Sequence, residues 1–224
     1  MNCVSQTPLA DSYNLIAEVR GSENPEEIIL LGGHVDSWDV GNGAMDDGGG
    51  VFAAYYALKT IVSLDLKPKR TIRIIAWVDE ENSGRGADAY YASLSQEEIN
   101  NHVLAYESDS GVSTPVGFSF TSDATPGQID LLSRIVLELM SPLGYGNMTT
   151  SEAGGGADTE ILHEEGGVPV SELLVDTSHY FWYHHTAADT IDKIDKNSMA
   201  DCSAGMSILA FVISDYELSF NKLP

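Results

Sequence analysis

Short unbroken apolar runs alternate along this chain with longer stretches whose apolar residues fall three and four apart. Residues 28–33 (IILLGG) and 71–78 (TIRIIAWV) lack the polar alternation of a half-exposed strand, so each reads as a strand covered on both faces. Residues 13–20 (YNLIAEVR) alternate and are rich in strand formers. Residues 103–106 (VLAY), 117–121 and 168–175 read as further strands. Helical spacing places Val51, Ala54, Tyr55, Leu58 and Ile61 on one face of a helix over 51–62. The same spacing predicts helices over 86–94, 127–140 and 197–218, the last capped by Asn197 or Ser198. Residues 144–156 read as a glycine-rich loop and 180–183 as an aromatic loop. No repeat and no long linker divides the chain, so residues 1–224 are expected to form one domain. Strands alternating with helices predict a three-layer α/β sandwich around a mainly parallel, mixed central sheet.

In such sheets function sits at the carboxyl ends of the strands. His34 and Asp36 follow the first buried run, Asp79, Glu80 and Glu81 the second, and Glu107 and Asp109 the third. Around His34 the stretch 32–50 gathers Asp36, Asp39, Asp46 and Asp47 among glycines. Taken singly, each group has an ordinary explanation. A lone histidine is more often a hydrogen-bonded structural residue. Asp46-Asp47 would suit a helix cap, Glu80-Glu81 a solvated turn, and Asp109 an Asx-turn. Even His184-His185, after four aromatics, would suit a packed corner. Converging at one sheet edge, however, imidazoles and carboxylates form a ligand set for a hard or borderline cation.

Charge narrows the partners. The chain carries 34 acidic against 11 basic residues, a net −23 at pH 7. Nucleic acids and anionic membranes need basic patches, so neither is an expected partner. Two bound dications would offset only four of those 23 charges, which leaves most of the acidity to the surface. No apolar run is long enough to span a bilayer, and residues 1–10 show neither the basic start nor the apolar core of a signal peptide. Cys3 and Cys202 form no disulfide framework or metal motif; a single bridge is possible, and two separate thiols are the simpler expectation.

Five segments then carry a resemblance: His34-Val-Asp36-Ser-Trp, Gly43-Ala-Met-Asp46-Asp47-Gly, Glu80-Glu81-Asn-Ser-Gly84, Glu107-Ser-Asp109-Ser-Gly and His184-His185-Thr-Ala-Ala-Asp189-Thr. Together and in this order they resemble the co-catalytic zinc exopeptidases of family M28, most of all its carboxypeptidase Q (plasma glutamate carboxypeptidase) branch. The resemblance implies a zinc-exopeptidase fold and two Zn2+ per chain. His34 would bind one ion, His185 the other, and Asp46 would bridge them. Glu81 and Asp109 would complete the set; relatives are expected to place Glu81 with His34 and Asp109 with His185, which spacing cannot decide. Asp36 would orient a ligand imidazole, as Asp47 would, and Glu80 would be the general base. His184 would touch the substrate or pack among Phe181, Trp182 and Tyr183. Asp158 would lie in a pocket-lining loop, structural or beside the substrate, and Asp189 would hydrogen-bond within its own loop.

The implied function is hydrolysis of short peptides or dipeptides by a zinc-bridging hydroxide. Two zinc ions roughly 3.5–4 Å apart can share such a hydroxide and lower its pKa. The alternatives are a single-zinc glutaminyl cyclase and a non-catalytic metal-binding domain. The resemblance further implies an exported, secreted or periplasmic protein, often dimeric. It also implies that the N-terminal part and the inserted protease-associated domain of relatives are missing from this chain.

Overall fold

The structure, a computed structural model, describes residues 10–121, 126–151 and 155–216. Its strands and helices in chain order are β1 (Leu15–Val19), β2 (Asn24–His34), α1 (Gly49–Ser63), β3 (Arg70–Trp77), α2 (Arg85–Ser93), α3 (Gln96–Asn100), β4 (His102–Glu107), β5 (Pro115–Thr121), α4 (Pro126–Arg134), β6 (Asn147–Ser151), α5 (Ala157–Glu164), β7 (Val170–Val175) and α6 (Lys196–Asp215). The strands form one seven-stranded sheet in the order β1-β3-β2-β4-β7-β5-β6. Four central strands, β3, β2, β4 and β7, run parallel. On one side β1 pairs antiparallel with β3; on the other β5 runs antiparallel to β7 and carries β6 parallel to itself.

The buried strands show why the apolar runs are unbroken. Ile29 and Leu31 of β2 face one core, with Ala53, Ala57 and Ile61 of α1 and Met206, Leu209 and Ile213 of α6. Ile28 and Leu30 face the other, with Tyr90 of α2, Ile99 of α3 and Leu162 of α5. A strand covered on both sides has no place for polar alternation. Burying one such leucine or isoleucine is worth about 1.5–3 kcal/mol. Buried Arg70, paired with Glu27, donates to the carbonyls of Ile213 (3.1 Å) and Tyr216. It thereby ties the C-terminal end of α6 to the start of β3.

The expected architecture stands, with local corrections. The glycine-rich segment holds an edge strand, β6, whose Met148 and Thr149 pair with Phe118 and Ser119 of β5. Helix α5 follows directly where no helix was expected. Helix α4 continues beyond Arg134 in wider turns over Ile135–Met140. The cap of α6 is Asp195, not Asn197 or Ser198; its Oδ1 accepts from the N–H groups of both, at 3.0 and 2.9 Å. The end of that expected helix, residues 217–218, lies outside the described residues, as does Cys3. Cys202 is buried, its thiol donating to the Ser113 carbonyl at 3.3 Å. Among the described residues no helix is long and apolar enough to cross a membrane.

Candidate metal centre

The carboxyl ends of β2, β3 and β4 deliver His34, the Glu80–Ser83 helical turn and Asp109 to one place, and two loops add the rest. His34 is the last residue of β2 and fully buried. Its main-chain N–H donates to Asp47 Oδ2 (3.1 Å), and Asp47 Oδ1 accepts from Gly50 N–H (3.0 Å). A Cβ on Gly33 would fall 2.2 Å from Asp47 Oδ2, and one on Gly50 2.4 Å from the same oxygen and 2.0 Å from the Ser108 carbonyl. Two of the glycines around the motif are therefore there to let Asp47 in. The His34 ring meets the main-chain oxygen of Asp36 through Nδ1 at 3.0 Å. A carbonyl can only accept, so Nδ1 carries a proton, and Nε2, facing the carboxylates, is the nitrogen that can give its lone pair to a cation once its own proton is displaced. Nε2 lies 3.2 Å from Asp46 Oδ1 and 3.3 Å from Asp109 Oδ1, with Glu80 Oε2 at 3.8 Å.

Asp46 has a second oxygen and a second set of neighbours. Its Oδ2 lies 3.4 Å from the Nε2 atoms of both His184 and His185. His185 Nε2 lies 2.7 Å from Glu81 Oε2. The backbone of Asp46 is held from a distant loop: Asp189 accepts from the N–H groups of Met45 (2.6 Å) and Asp46 (3.1 Å). Asp189 does bond within its own loop, its main-chain N–H donating to the Thr186 carbonyl at 3.1 Å, but its carboxylate reaches out to the Asp46 loop. The two stacked imidazoles of His184 and His185 have centroids 3.6 Å apart, and the indole of Trp38 lies flat on His185 at 4.5 Å. His184 also packs against Tyr180 and Phe181, so it combines the aromatic corner with a place at the site.

Two expected arrangements differ in the structure. Glu81 groups with His185, and Asp109 with His34, the reverse of the pairing expected from relatives. Asp36 reaches the His34 ring mainly through its carbonyl; its carboxylate, 3.9 Å from Nδ1, accepts from the N–H groups of Glu80 (3.2 Å) and Glu81 (3.3 Å). It therefore orients the glutamate turn as much as the imidazole.

The electrostatics follow from this crowding. Burial works to raise the Asp46 carboxyl, yet the hydrogen bond and charge of His34, with His184 and His185, hold it below the usual range. Burial disfavours the His34 cation, but Asp109 and Asp46 outweigh it and raise its pKa. Burial lifts Glu80 to about 7 against the opposing pull of His34. Burial, then the charge of Asp46, lifts Glu81 as well. Asp158 lies in the first turn of α5 rather than in a loop, buried beside the buried Glu107. Burial raises Asp158 to about 7 and Glu107 well above its usual value.

These residues fit a metal. Among the described residues Asp46 Oδ2 and Glu81 Oε1 are buried with no hydrogen-bond partner, a costly state for carboxylate oxygens that a cation relieves. Two overlapping groups, His34–Asp46–Asp109 and Asp46–His184–His185, each bring their ligand atoms within 4.8 Å of one another, and Asp46 belongs to both. Neutral imidazole with carboxylate suits zinc in an open, catalytic arrangement. A cavity of about 370 Å³ opens onto the four carboxylates, flanked by Ser110, Tyr180 and Phe181. A larger one of about 910 Å³ lies along Asp36, Asp79 and Arg85, but no imidazole lines it.

Residues 14–210 match the model of peptidase family M28. This chain belongs to that family. The M28 chain is 40% identical over 210 residues to carboxypeptidase Q of Xenopus laevis, a match covering 94% of this chain and 43% of that protein. It is likewise similar to the crystal structure of a peptidase M28 precursor from Shewanella amazonensis, at 37% identity and a TM-score of 0.85, covering 95% of this chain and 47% of the other. A zinc aminopeptidase from Bacillus subtilis shares the fold, at 21% identity and a TM-score of 0.68, with 92% of this chain and 53% of the other covered. The chain thus spans less than half the length of the carboxypeptidase Q that it matches.

Trp38 and Asp189 were the residues least expected at this site. Their contacts join loops far apart in the chain, Asp189 reaching Met45 across 144 positions. No local pattern announces such a contact; the only signal was that each lies inside one of the five motifs.

Proposed function

We propose that this M28 domain is a dinuclear zinc exopeptidase acting on short peptides. The observation that carries this reading is Asp46, which turns one oxygen to His34, itself beside Asp109, and the other to His184 and His185, the latter beside Glu81. In this reading His34, Asp46 and Asp109 hold one ion, and Asp46, Glu81 and His185 the other. Zinc bound there supplies Lewis acidity and lowers the pKa of a coordinated water.

The remaining chemistry belongs to the chain. Glu80 stands 3.8 Å from His34 Nε2, nearby but second to Asp46 and Asp109, and lines the cavity. Its raised pKa suits a group that takes a proton from water and returns it to the leaving amine. Asp36 holds the Glu80 and Glu81 main chain by two hydrogen bonds and so keeps base and ligand in register. Asp189 does the same for Asp46.

The cavity wall bears on which terminus is recognised. Its charged groups are carboxylates and imidazoles, and among the described residues no Lys or Arg lines it. Such a wall favours a free peptide amine over a carboxylate, so the substrates are dipeptides or short peptides with an open N-terminus. The two overlapping ligand groups weigh against a single-metal cyclase, and Glu80 weighs against a purely binding role. Export of the protein and a homodimer, which the resemblance implies, belong to the same proposal.

The test is hydrolysis by the zinc-loaded chain of a dipeptide, its N-acetylated form and its C-terminal amide. The reading predicts turnover of the dipeptide and the amide and loss of turnover on acetylation. Cleavage of the acetylated peptide with loss on amidation would reverse the assignment of the terminus.

A further inference from the structure

The His185 side of the centre has a support that neither the metal ligands nor the base accounts for. His185 sits at φ +57°, in the left-handed region, where a residue with a Cβ is strained and persists only when its surroundings hold it. Its loop is tied by Thr186 N–H and hydroxyl to the Tyr183 carbonyl, at 3.0 and 2.7 Å, which fixes the backbone but not the ring. The ring is held as the middle of a stack. Trp38 lies on it with an interplanar angle of 12°, and His184 stacks on it at 3.6 Å and 20°. Nε2 is thereby aimed between Glu81 and Asp46.

The histidine at the other end gets its orientation from a hydrogen bond, His34 Nδ1 to the Asp36 carbonyl. A ligating imidazole nearly always has such a partner for its second nitrogen. Among the described residues His185 Nδ1 has no hydrogen-bond partner, and flat stacking takes over the task. Trp38 is well placed for it. It follows Asp36 by two positions in the same loop, and its main-chain N–H acts on Glu81, the other group at this end. The indole is half-exposed, with 44% of its surface open, so packing of the core does not require it.

We propose that Trp38 is a positioning residue for the His185 half of the metal centre: its indole face sets the plane of the His185 ring and its loop sets Glu81. The inference rests on the dinuclear reading above and adds an unequal dependence of the two metal positions on one aromatic side chain.

The test is a zinc titration of the intact chain in competition with a chromophoric chelator, run on wild type and on Trp38→Ala, Trp38→Leu and Trp38→Phe. His185→Ala marks which binding step belongs to His185. In Trp38→Ala that step weakens tenfold or more, within the 10- to 100-fold range seen when a ligand's support is removed, and the other step is unchanged. Trp38→Phe, which keeps a flat face, stays within about threefold of wild type, and Trp38→Leu, which keeps only bulk, behaves like alanine. Equal weakening of both steps, no weakening in Trp38→Ala, or full rescue by leucine would overturn the proposal. So would a higher KM with zinc binding intact, the mark of a substrate platform. A wild-type chain that takes up fewer than two zinc ions removes the dinuclear reading itself; two steps unaffected by Trp38→Ala remove this inference alone.

Discussion

His34 and His185 approach the same carboxylate, Asp46, from scaffolds that have little in common. His34 ends a central strand, is fully buried, and has both its main-chain N–H and its Nδ1 bonded to protein. His185 sits in a loop, is about one-third exposed in its side chain, has a positive φ, and is sandwiched between two rings. The first half is fixed by the sheet and would be present whenever the domain is folded. The second is assembled from loops around residues 36–41 and 180–189, and its order depends on those loops meeting. Metal affinity and fold stability should therefore couple differently at the two ends.

The largest effect is expected at the shared ligand. Asp46→Ala should empty both ends, with zinc near zero by elemental analysis and activity below that of any other variant considered; retention of one tightly bound zinc would break the bridging role. Glu80→Gln should keep both ions yet lower kcat on the order of 10²–10⁴-fold. The base works only when ionised. Burial raises Glu80 to about 7, so activity should fall as pH drops through and below that value, with bound zinc drawing the limb lower. The Gln variant should lack this limb in a kcat/KM profile.

Next in size is the contrast between the two histidines. His185→Ala should lose about one zinc and lower the melting temperature of the metal-free chain less than His34→Ala, because its ring is about one-third exposed. His34→Ala should lower that temperature more, because buried Asp46 loses the hydrogen bond that His34 supplies. A loss of about 1–3 kcal/mol is expected for such an orphaned group, a Tm decrease of about 2–4 °C per kcal/mol for a chain of this size. Equal melting of the two variants would erase the asymmetry. Asp189→Ala, which frees the N–H groups of Met45 and Asp46, should weaken zinc about 10- to 100-fold without abolishing it.

The smallest effect is on stability alone. Asp158 has a folded-state pKa of about 7, above its ordinary value, with burial as the main cause. A raised acid keeps its proton in the fold and releases it on unfolding, so its stabilisation is complete at low pH and is lost as pH rises from about 4 through 7. Asp158→Asn should flatten that decline and raise the Tm of the metal-free chain at pH 8 by about 2–4 °C, the shift that 1 kcal/mol produces. An unchanged profile would show that the Glu107–Asp158 pair carries no such penalty.

The sheet-built half is also the half that reads most directly from sequence. His34, Glu80 and Asp109 each follow an apolar run with no alternation, and the fold places the ends of those runs together. Strand β6 was hidden because it is a short edge strand next to glycines, with polar residues where a buried strand has apolar ones. The first turn of helix α5 holds Asp158 and Thr159, which are buried against Glu107 of β4 rather than placed by helical periodicity. The pairing of Glu81 with His185, the reach of Asp189 and the Trp38 stack depend on how loops meet and which way side chains turn. Residue order alone leaves those choices open.

The most direct measurement is zinc per folded chain, by elemental analysis after dialysis against a weak chelator, on wild type and His185→Ala together. A bridged pair with separable ends predicts about two ions in the first and about one in the second. One ion in wild type, or two retained without His185, would contradict it.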